Sequence, residues 1–163
     1  CLDAFERVLT QIPDAILVLV GGGPLEQQVR EDVARRGLQD RVVLTGFRRD
    51  AERIYPVFDC CMQTSLWDGL PRAMVEAMVC ERPVVATSVG GVPEIIHHRK
   101  TRILVTAGDT EAIAAGVIDF LKNPEWAREV GRNARRRMEH VFDVDASVEK
   151  LFALYGSFLK GNA

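Results

Sequence analysis

The sequence predicts an α/β fold, with an open parallel sheet, helices on both of its faces and a helical C-terminal tail. Short runs rich in β-branched residues alternate with longer segments of helical periodicity, which is typical of successive βαβ units. From Asp109 onward only helical patterns remain. The strand runs are short and mostly apolar, as expected of strands buried on both faces. The five predicted strands are 15–20, 41–47, 59–63, 82–88 and 102–107.

The helical segments follow from start and stop signals along the chain. CLDAFERVLTQ has an amphipathic pattern, so no strand precedes the first helix, and we expect a strand upstream in the parent protein. Pro or Asp opens the later helices, and Asn123-Pro124 separates two helices of the tail. The arrangement is a Rossmann-like sheet in one domain, residues 1–163. The later helices are predicted at 24–36, 50–55, 71–80, 93–97, 109–122, 124–140 and 144–160.

Charge and composition exclude several classes of partner. A formal net charge of −2 and a pI near 6.0 provide no global field that would attract nucleic acid or an acidic membrane. The longest apolar runs are about six residues, far short of the roughly 20 that span a bilayer. We therefore expect no nucleic-acid partner and no membrane-spanning helix.

The four cysteines have no zinc-site spacing and predict reduced, buried thiols. Such cysteine usage favours a cytoplasmic protein, and peripheral attachment to a membrane through the parent protein stays open. The histidines at 97, 98 and 140 have neither metal nor catalytic-triad spacing. Asp143-Val144-Asp145 resembles a metal-binding D-x-D, but helix capping ahead of Ala146 explains it better. No metal and no cofactor are predicted.

A glycine-rich turn, GGGPLEQQ at 21–28, follows the first strand and opens a helix. A dinucleotide fingerprint would need glycine where the chain has Glu26, and the P-loop pattern is absent. Two interpretations stay open: a plain tight turn that needs glycine conformations, or a turn whose N–H groups face a phosphate.

Three further features have a structural and a functional interpretation. The arginine run at 132–137 indicates a solvated helix face rather than a site for an anionic partner. Trp126 is expected to pack in the tail. For Trp67 a core position and a ligand contact are equally open.

The stretch SLWDGLPRAMVEAM contains two acids, Asp68 and Glu76, at the carboxyl edge of the sheet where open α/β folds bind ligands. The spacing alone is a weak motif. In a purely structural interpretation, Asp68 caps the helix or the loop, and Glu76 pairs with Arg72 one turn away.

In order along the chain, LVLVGGGP, VVLTGF, SLWDGLPRAMVEAM, RPVVATSVGGVPEII and LFALYGSFL together resemble the C-terminal, donor-binding domain of glycosyltransferase family 4. The resemblance covers nearly the whole chain and implies one half of a GT-B fold. It implies a retaining enzyme of glycan biosynthesis that uses a nucleoside diphosphate sugar. The missing N-terminal domain of the same chain would bind the acceptor, so the isolated domain is expected to be inactive.

The resemblance also implies roles for individual residues. Glu76 would accept hydrogen bonds from both ribose hydroxyls, and Asp68 would contact hydroxyls of the transferred sugar. Backbone N–H groups of Gly69 and Leu70 would face the sugar and the diphosphate. It assigns no catalytic residue with a direct role in proton transfer. Two further contacts with the sugar-nucleotide donor are implied. The chain would approach the donor closely at Gly21, Gly22 and Gly23, and main-chain atoms near Phe47 and Arg48 would also contact it.

The chain departs from the family pattern at four positions. Asp68 stands where Glu is usual, Glu81 replaces a small residue, and Arg99 and Arg102 replace glycines. Two alternatives therefore stay open beside a transferase: a GT-B epimerase or phosphorylase, and a non-catalytic binding module. The nucleotide base, the sugar, the acceptor and the oligomeric state are not determined by the sequence.

Overall fold

A computed structural model describes residues 1–95 and 103–160. Strands and helices alternate until the fifth strand, and three helices follow it, as the sequence predicts. The helices are α1 (Leu2–Leu9), α2 (Glu26–Arg35), α3 (Arg72–Val79), α4 (Val92–Ile95), α5 (Thr110–Lys122), α6 (Pro124–Val141) and α7 (Val144–Lys160). The strands are β1 (Leu17–Val20), β2 (Val42–Gly46), β3 (Cys61–Gln63), β4 (Val84–Thr87) and β5 (Ile103–Val105).

All strand pairs are parallel, which confirms the predicted α/β class, but the strands form two sheets rather than one. One sheet has the order β1-β2 and the other β3-β4-β5. Among the described residues, no strand pairs with the outer edge of β1 or of β3. The two sheets nevertheless share a core, because Leu17 of β1 and Val85 of β4 belong to one cluster of buried side chains.

Helices cover both faces of the three-stranded sheet, as predicted. Val85 of β4 packs in a cluster with side chains of α1 and α5, including Phe5 and Phe120. Its neighbours Val84 and Ala86 pack on the opposite side with side chains of α3 and α6. Successive residues of a strand point to opposite faces, so β4 is buried on both sides and forms the middle of the domain.

The helical tail follows the predicted boundaries closely. Asp109 caps α5, since its carboxylate accepts a hydrogen bond from the N–H of Ala112 at 2.8 Å. Asp143 caps α7 in the same way through Ala146 at 2.7 Å, which confirms the capping interpretation of the D-x-D sequence. Trp126 packs against Phe120 with ring centroids 4.9 Å apart, as expected.

Several boundaries differ from the prediction. The helix expected at 50–55 is replaced by two short 3₁₀ helices, Ala51–Arg53 and Tyr55–Val57, because Pro56 lacks the N–H that an α-helix would need. The helix expected at 93–97 begins at Val92. The expectations for His97, His98, Arg99 and Arg102 lie outside the described residues.

The cysteines are free, as predicted, but Cys1 is exposed and the other three are only partly buried. Burial raises the pKa of the Cys60 and Cys61 thiols to about 12. No helix in the described part of the chain is long and apolar enough to cross a membrane.

Glu81, one of the departures from the family pattern, has a left-handed backbone with φ of +58°. That conformation costs a residue other than glycine about 1–2 kcal/mol. The Glu81 carbonyl lies where α6 approaches, because a Cβ on Gly131 would sit 2.0 Å from the Glu81 oxygen. Glycine at 81 would suit this backbone better than glutamate does.

Candidate functional site

The predicted site residues follow the carboxyl ends of the strands, where parallel sheets bind ligands. They form two groups. The first group, Asp68, Gly69, Leu70 and Glu76, lies after β3 and in α3. The second group, Gly21, Gly22, Gly23, Phe47 and Arg48, lies after β1 and β2.

Side chains from two strands hold the loop that carries Asp68. The Ser65 hydroxyl approaches an Asp68 carboxylate oxygen at 3.5 Å, and the Gln63 amide donates to the same hydroxyl at 2.7 Å. Thr87, a fully buried residue of β4, donates its hydroxyl to the Ser65 carbonyl at 2.6 Å. The loop is therefore fixed to the ends of β3 and β4.

A pair of glycines after β4 packs directly on the same loop. The N–H of Gly91 donates to the Gly69 carbonyl at 2.9 Å. Gly90 has φ of +52°, and a Cβ there would lie 1.8 Å from the Asp68 carbonyl oxygen. No other residue fits at this position without moving the Asp68 loop. The sequence prediction did not include Gly90 and Gly91 among the site residues, although adjacent glycines just after a buried strand are a signal for such a contact.

Asp68 does not cap α3, because Pro71 holds the N-cap position and no side chain bonds the helix start there. Among the described residues, the N–H groups of Gly69 and Leu70 have no hydrogen-bond acceptor. These two donors precede the positive end of α3, an arrangement that suits oxygen atoms carrying negative charge.

Glu76 lies in α3 and contacts two side chains. The Tyr55 hydroxyl donates to Oε2 at 3.1 Å, and an Arg72 nitrogen lies 3.7 Å from Oε1. The Arg72 side chain is 91% exposed, so this predicted ion pair exists but contributes little. Tyr55 was not predicted as a site residue, since its contact spans 21 positions of sequence.

The second group surrounds the turn after β1. Gly21 has φ of +141°, and its N–H donates to the Gly46 carbonyl at 3.0 Å. A Cβ on Gly22 would lie 3.2 Å from the Phe47 nitrogen. The tight-turn interpretation therefore accounts for Gly21 and Gly22, while Gly23 has open space around it.

The side chains that follow β2 are largely exposed. Phe47 is 76% exposed. Arg48 forms two hydrogen bonds with Asp50 at 2.8 and 2.9 Å, and these hold the pKa of the Asp50 carboxyl below its usual value. Because the Arg48 side chain is bonded to Asp50, the main-chain atoms of Arg48 are the part of this residue that can contact a ligand.

Other predicted features lie apart from both groups. Trp67 is 87% exposed, so the core interpretation is wrong. Arg135 pairs with Glu139 and Arg136 bonds Asn133, as expected of a solvated helix face. The described residues contain no group of three or more potential metal ligands. A surface cavity of about 490 Å³ is lined by α2 side chains such as Gln28 and Asp32, not by the predicted acids.

The fold is that of an open α/β protein, and proteins of this class commonly bind ligands at the carboxyl edge of the sheet, where the strand-end loops lie. Two carboxylates, N–H donors without an acceptor among the described residues, and close glycine turns at that edge suit a ligand rich in hydroxyl and phosphate groups. The chain belongs to the family described as Glycosyl transferases group 1, which matches residues 1–123.

Two curated relatives are, by their names, a synthase of an N-acetylglucosaminyl compound and a mannosyltransferase. N-acetyl-alpha-D-glucosaminyl L-malate synthase of Bacillus anthracis is 31% identical over 98% of this chain and 42% of its own length. O-antigen chain mannosyltransferase C of Escherichia coli is 29% identical over 99% of this chain and 43% of its own length. The chain therefore spans less than half the length of these relatives.

Solved structures show the same fold. Sucrose-phosphate synthase from Thermosynechococcus elongatus superimposes with a TM-score of 0.85 and 27% identity, over 98% of this chain and 42% of that protein. HepE of Anabaena, solved in complex with UDP, gives a TM-score of 0.86 and 26% identity, over 95% of this chain and 44% of HepE. The predicted fold class and the resemblance to a GT-B glycosyltransferase domain are therefore confirmed, and membership of family 4 stays a prediction.

Proposed function

We propose that this chain is the donor-binding half of a retaining glycosyltransferase of family 4, which transfers a sugar from a nucleoside diphosphate sugar to an acceptor. The observation that carries the proposal is the pair of acids beside α3: Asp68 on a fixed loop and Glu76 on the helix. A sugar nucleotide offers vicinal hydroxyls and a diphosphate, which match carboxylates and N–H donors respectively.

The chemistry of each group supports the assigned roles. A carboxylate has two acceptor oxygens and can receive both hydroxyls of a ribose diol, with about 1.5–3 kcal/mol for each charge-assisted bond. Glu76 would take the ribose and Asp68 the transferred sugar. The N–H groups of Gly69 and Leu70 would donate to the sugar and the diphosphate at the start of α3. No metal is part of the proposal.

The second group of residues would contact the nucleoside end of the donor. Gly21, Gly22 and Gly23 would allow the chain to approach the ligand closely, and main-chain atoms near Phe47 and Arg48 would contact the base. The neighbour HepE has been solved with UDP and with UDP-glucose, which makes uridine nucleotides the first choice of probe.

In the parent protein, an N-terminal domain would supply the acceptor site and close the cleft. The relatives are more than twice as long as the matched region, and apolar side chains of α7 such as Phe152 and Phe158 are exposed. A further strand between β1 and β3 would join the two sheets into one doubly wound sheet. Transfer needs donor and acceptor held together, so we expect no transferase activity from this chain alone.

A second candidate is a non-catalytic binding module with the same fold. Asp68 favours it, because aspartate is one methylene shorter than the usual glutamate, and a misplacement of about 1 Å can cost on the order of 100-fold in rate. Sugar transfer by the parent protein with wild-type Asp68 would exclude this candidate, and the anomeric configuration of the product would test retention.

Titration calorimetry with UDP, GDP and UDP-glucose tests the donor site. We expect saturable binding of one nucleotide, weakened by about 1.5 kcal/mol or more in Glu76→Ala. Glu149→Ala, an exposed glutamate on α7, serves as the matched control and should bind like the wild type. Equal affinity of the two variants would contradict the assignment of Glu76. Unchanged binding in EDTA would agree with the absence of a metal from the proposal.

A further inference from the structure

Tyr55 is held in place before any ligand binds. It lies in the 3₁₀ helix Tyr55–Val57, between β2 and β3, and packs against the buried cluster that includes Met74 and Met78 of α3. Its ring lies nearly perpendicular to that of Phe58, with centroids 6.3 Å apart. The phenol therefore reaches α3 from a part of the chain that is fixed by the core.

The hydroxyl of Tyr55 is a donor to Glu76. Burial and the neighbouring carboxylate raise the pKa of Tyr55 above its usual value, so the phenol keeps its proton at neutral pH. An ionised carboxylate can only accept, and the 3.1 Å contact therefore runs from the Tyr55 O–H to Oε2.

The other neighbour of Glu76 cannot orient it in this way. Arg72 lies 3.7 Å from Oε1, beyond a normal hydrogen bond, and its side chain is almost fully exposed. A glutamate without a fixed partner moves among several rotamers, and a ligand would have to select one of them. Tyr55 leaves Oε1 and one lone pair of Oε2 free to accept from a ligand.

We infer that Tyr55 is a positioning residue: its hydroxyl orients the Glu76 carboxylate so that the carboxylate can accept hydrogen bonds from both hydroxyls of a ribose diol. This inference rests on the proposed donor site. Tyr55 touches Glu76 and not the ligand, so its loss weakens the diol contact and leaves contacts to the base and the phosphates unchanged.

Two ligands that differ only in the diol separate this effect from a general loss of structure. The 163-residue chain is titrated by calorimetry with UDP and with 2′,3′-dideoxy-UDP. Tyr55→Phe removes only the hydroxyl and keeps the ring packing. Tyr155→Phe makes the same change on an exposed tyrosine of α7 and serves as the control.

We expect the wild type and Tyr155→Phe to prefer UDP strongly over the dideoxy analogue. Tyr55→Phe should lose about tenfold in affinity for UDP, with the dideoxy analogue unaffected, so the preference shrinks. A thermal melt of each variant verifies folding.

The remaining outcomes distinguish the two hypotheses. An unchanged preference in Tyr55→Phe overturns the inference and leaves the donor site intact. Equal weakening of both ligands also overturns it, because the tyrosine would then support the fold and not the carboxylate. A wild type that binds neither ligand, or does not prefer UDP, overturns the diol contact at Glu76 itself, and the inference about Tyr55 falls with it.

Discussion

The Asp68 loop and the glycine turn after β1 both follow a parallel strand, but their surroundings fix them to different degrees. The Asp68 loop is bonded to Ser65 and Thr87 and leaves no room for a side chain at Gly90. The turn after β1 is tied through Gly21, whereas a Cβ on Gly23 would meet nothing within 4 Å. The run of three glycines stands out in the sequence, yet at the candidate site the glycine that cannot accept a side chain is Gly90, after β4. A glycine run that is conspicuous in the sequence is therefore not necessarily the place where a side chain is sterically excluded.

Replacing Gly90 should have the largest effect. In Gly90→Ala the new methyl would collide with the Asp68 carbonyl, and alanine disfavours the positive φ, so we expect a loss of about 3 kcal/mol of stability. Gly23→Ala, the matched control in the open turn, should change stability by less than about 0.5 kcal/mol. Urea denaturation of both variants measures the difference. Similar denaturation midpoints for the two variants would show that both regions tolerate an added side chain equally well.

A smaller effect is expected at Thr87, which ties the Asp68 loop to β4. Thr87→Val keeps the shape but leaves the part-buried Ser65 carbonyl without its 2.6 Å hydrogen bond, at a cost of about 1–2 kcal/mol. Thr10→Val removes a similar hydroxyl bond to the Arg7 carbonyl at an exposed position, where water replaces it. If both variants lose equal stability in denaturation experiments, the Thr87 bond does not fix the loop.

Thiol labelling tests the rigidity of β3 without changing stability. The pKa of about 12 at Cys60 and Cys61 keeps these thiols protonated at pH 8, so they should react roughly 1000-fold more slowly than an unperturbed thiol. Exposed Cys1 is the internal control, and mass spectrometry of digested protein locates the label. Equally fast labelling of Cys1 and Cys61 would show that β3 opens readily.

The raised pKa values of Cys60 and Cys61 also predict that the free energy of unfolding falls at alkaline pH. Because the pKa of each thiol is higher in the folded state than in the unfolded state, the contribution of these thiols to stability is complete below about pH 9. It falls as the pH rises from about 9 to about 12, since only the unfolded state releases protons there. Replacing both cysteines by alanine should flatten this part of the pH profile of the unfolding free energy.

Local signals in the sequence predicted much of the fold. Pro124 starts α6 as expected, and Asp143 caps α7, because both effects act within one helical turn. Hydrophobic runs located all five strands, although β1, β2 and β3 are only partly buried and β4 is buried along its whole length. The division into two sheets depends on which strands pair with each other. Pairing joins segments that are far apart along the chain, so local sequence signals do not predict it.

The candidate site was predictable only in part. Asp68 and Glu76 could be picked out through their place after a strand and through the family resemblance. The contacts that hold them involve Tyr55, Thr87 and Gly90, each about 20 positions away in the chain. Such contacts arise from tertiary packing, which neither periodicity nor capping signals encode.

The two tryptophans lie in different environments, so the intrinsic fluorescence of the domain can report on two regions separately. Trp67 is exposed beside Asp68, whereas Trp126 is packed against Phe120. A soluble quencher such as iodide will reduce the emission of the exposed indole first, and the residual, blue-shifted fluorescence will come from the packed one. A ligand that covers the Asp68 loop will protect the quenchable component, and unfolding of the tail will shift the other.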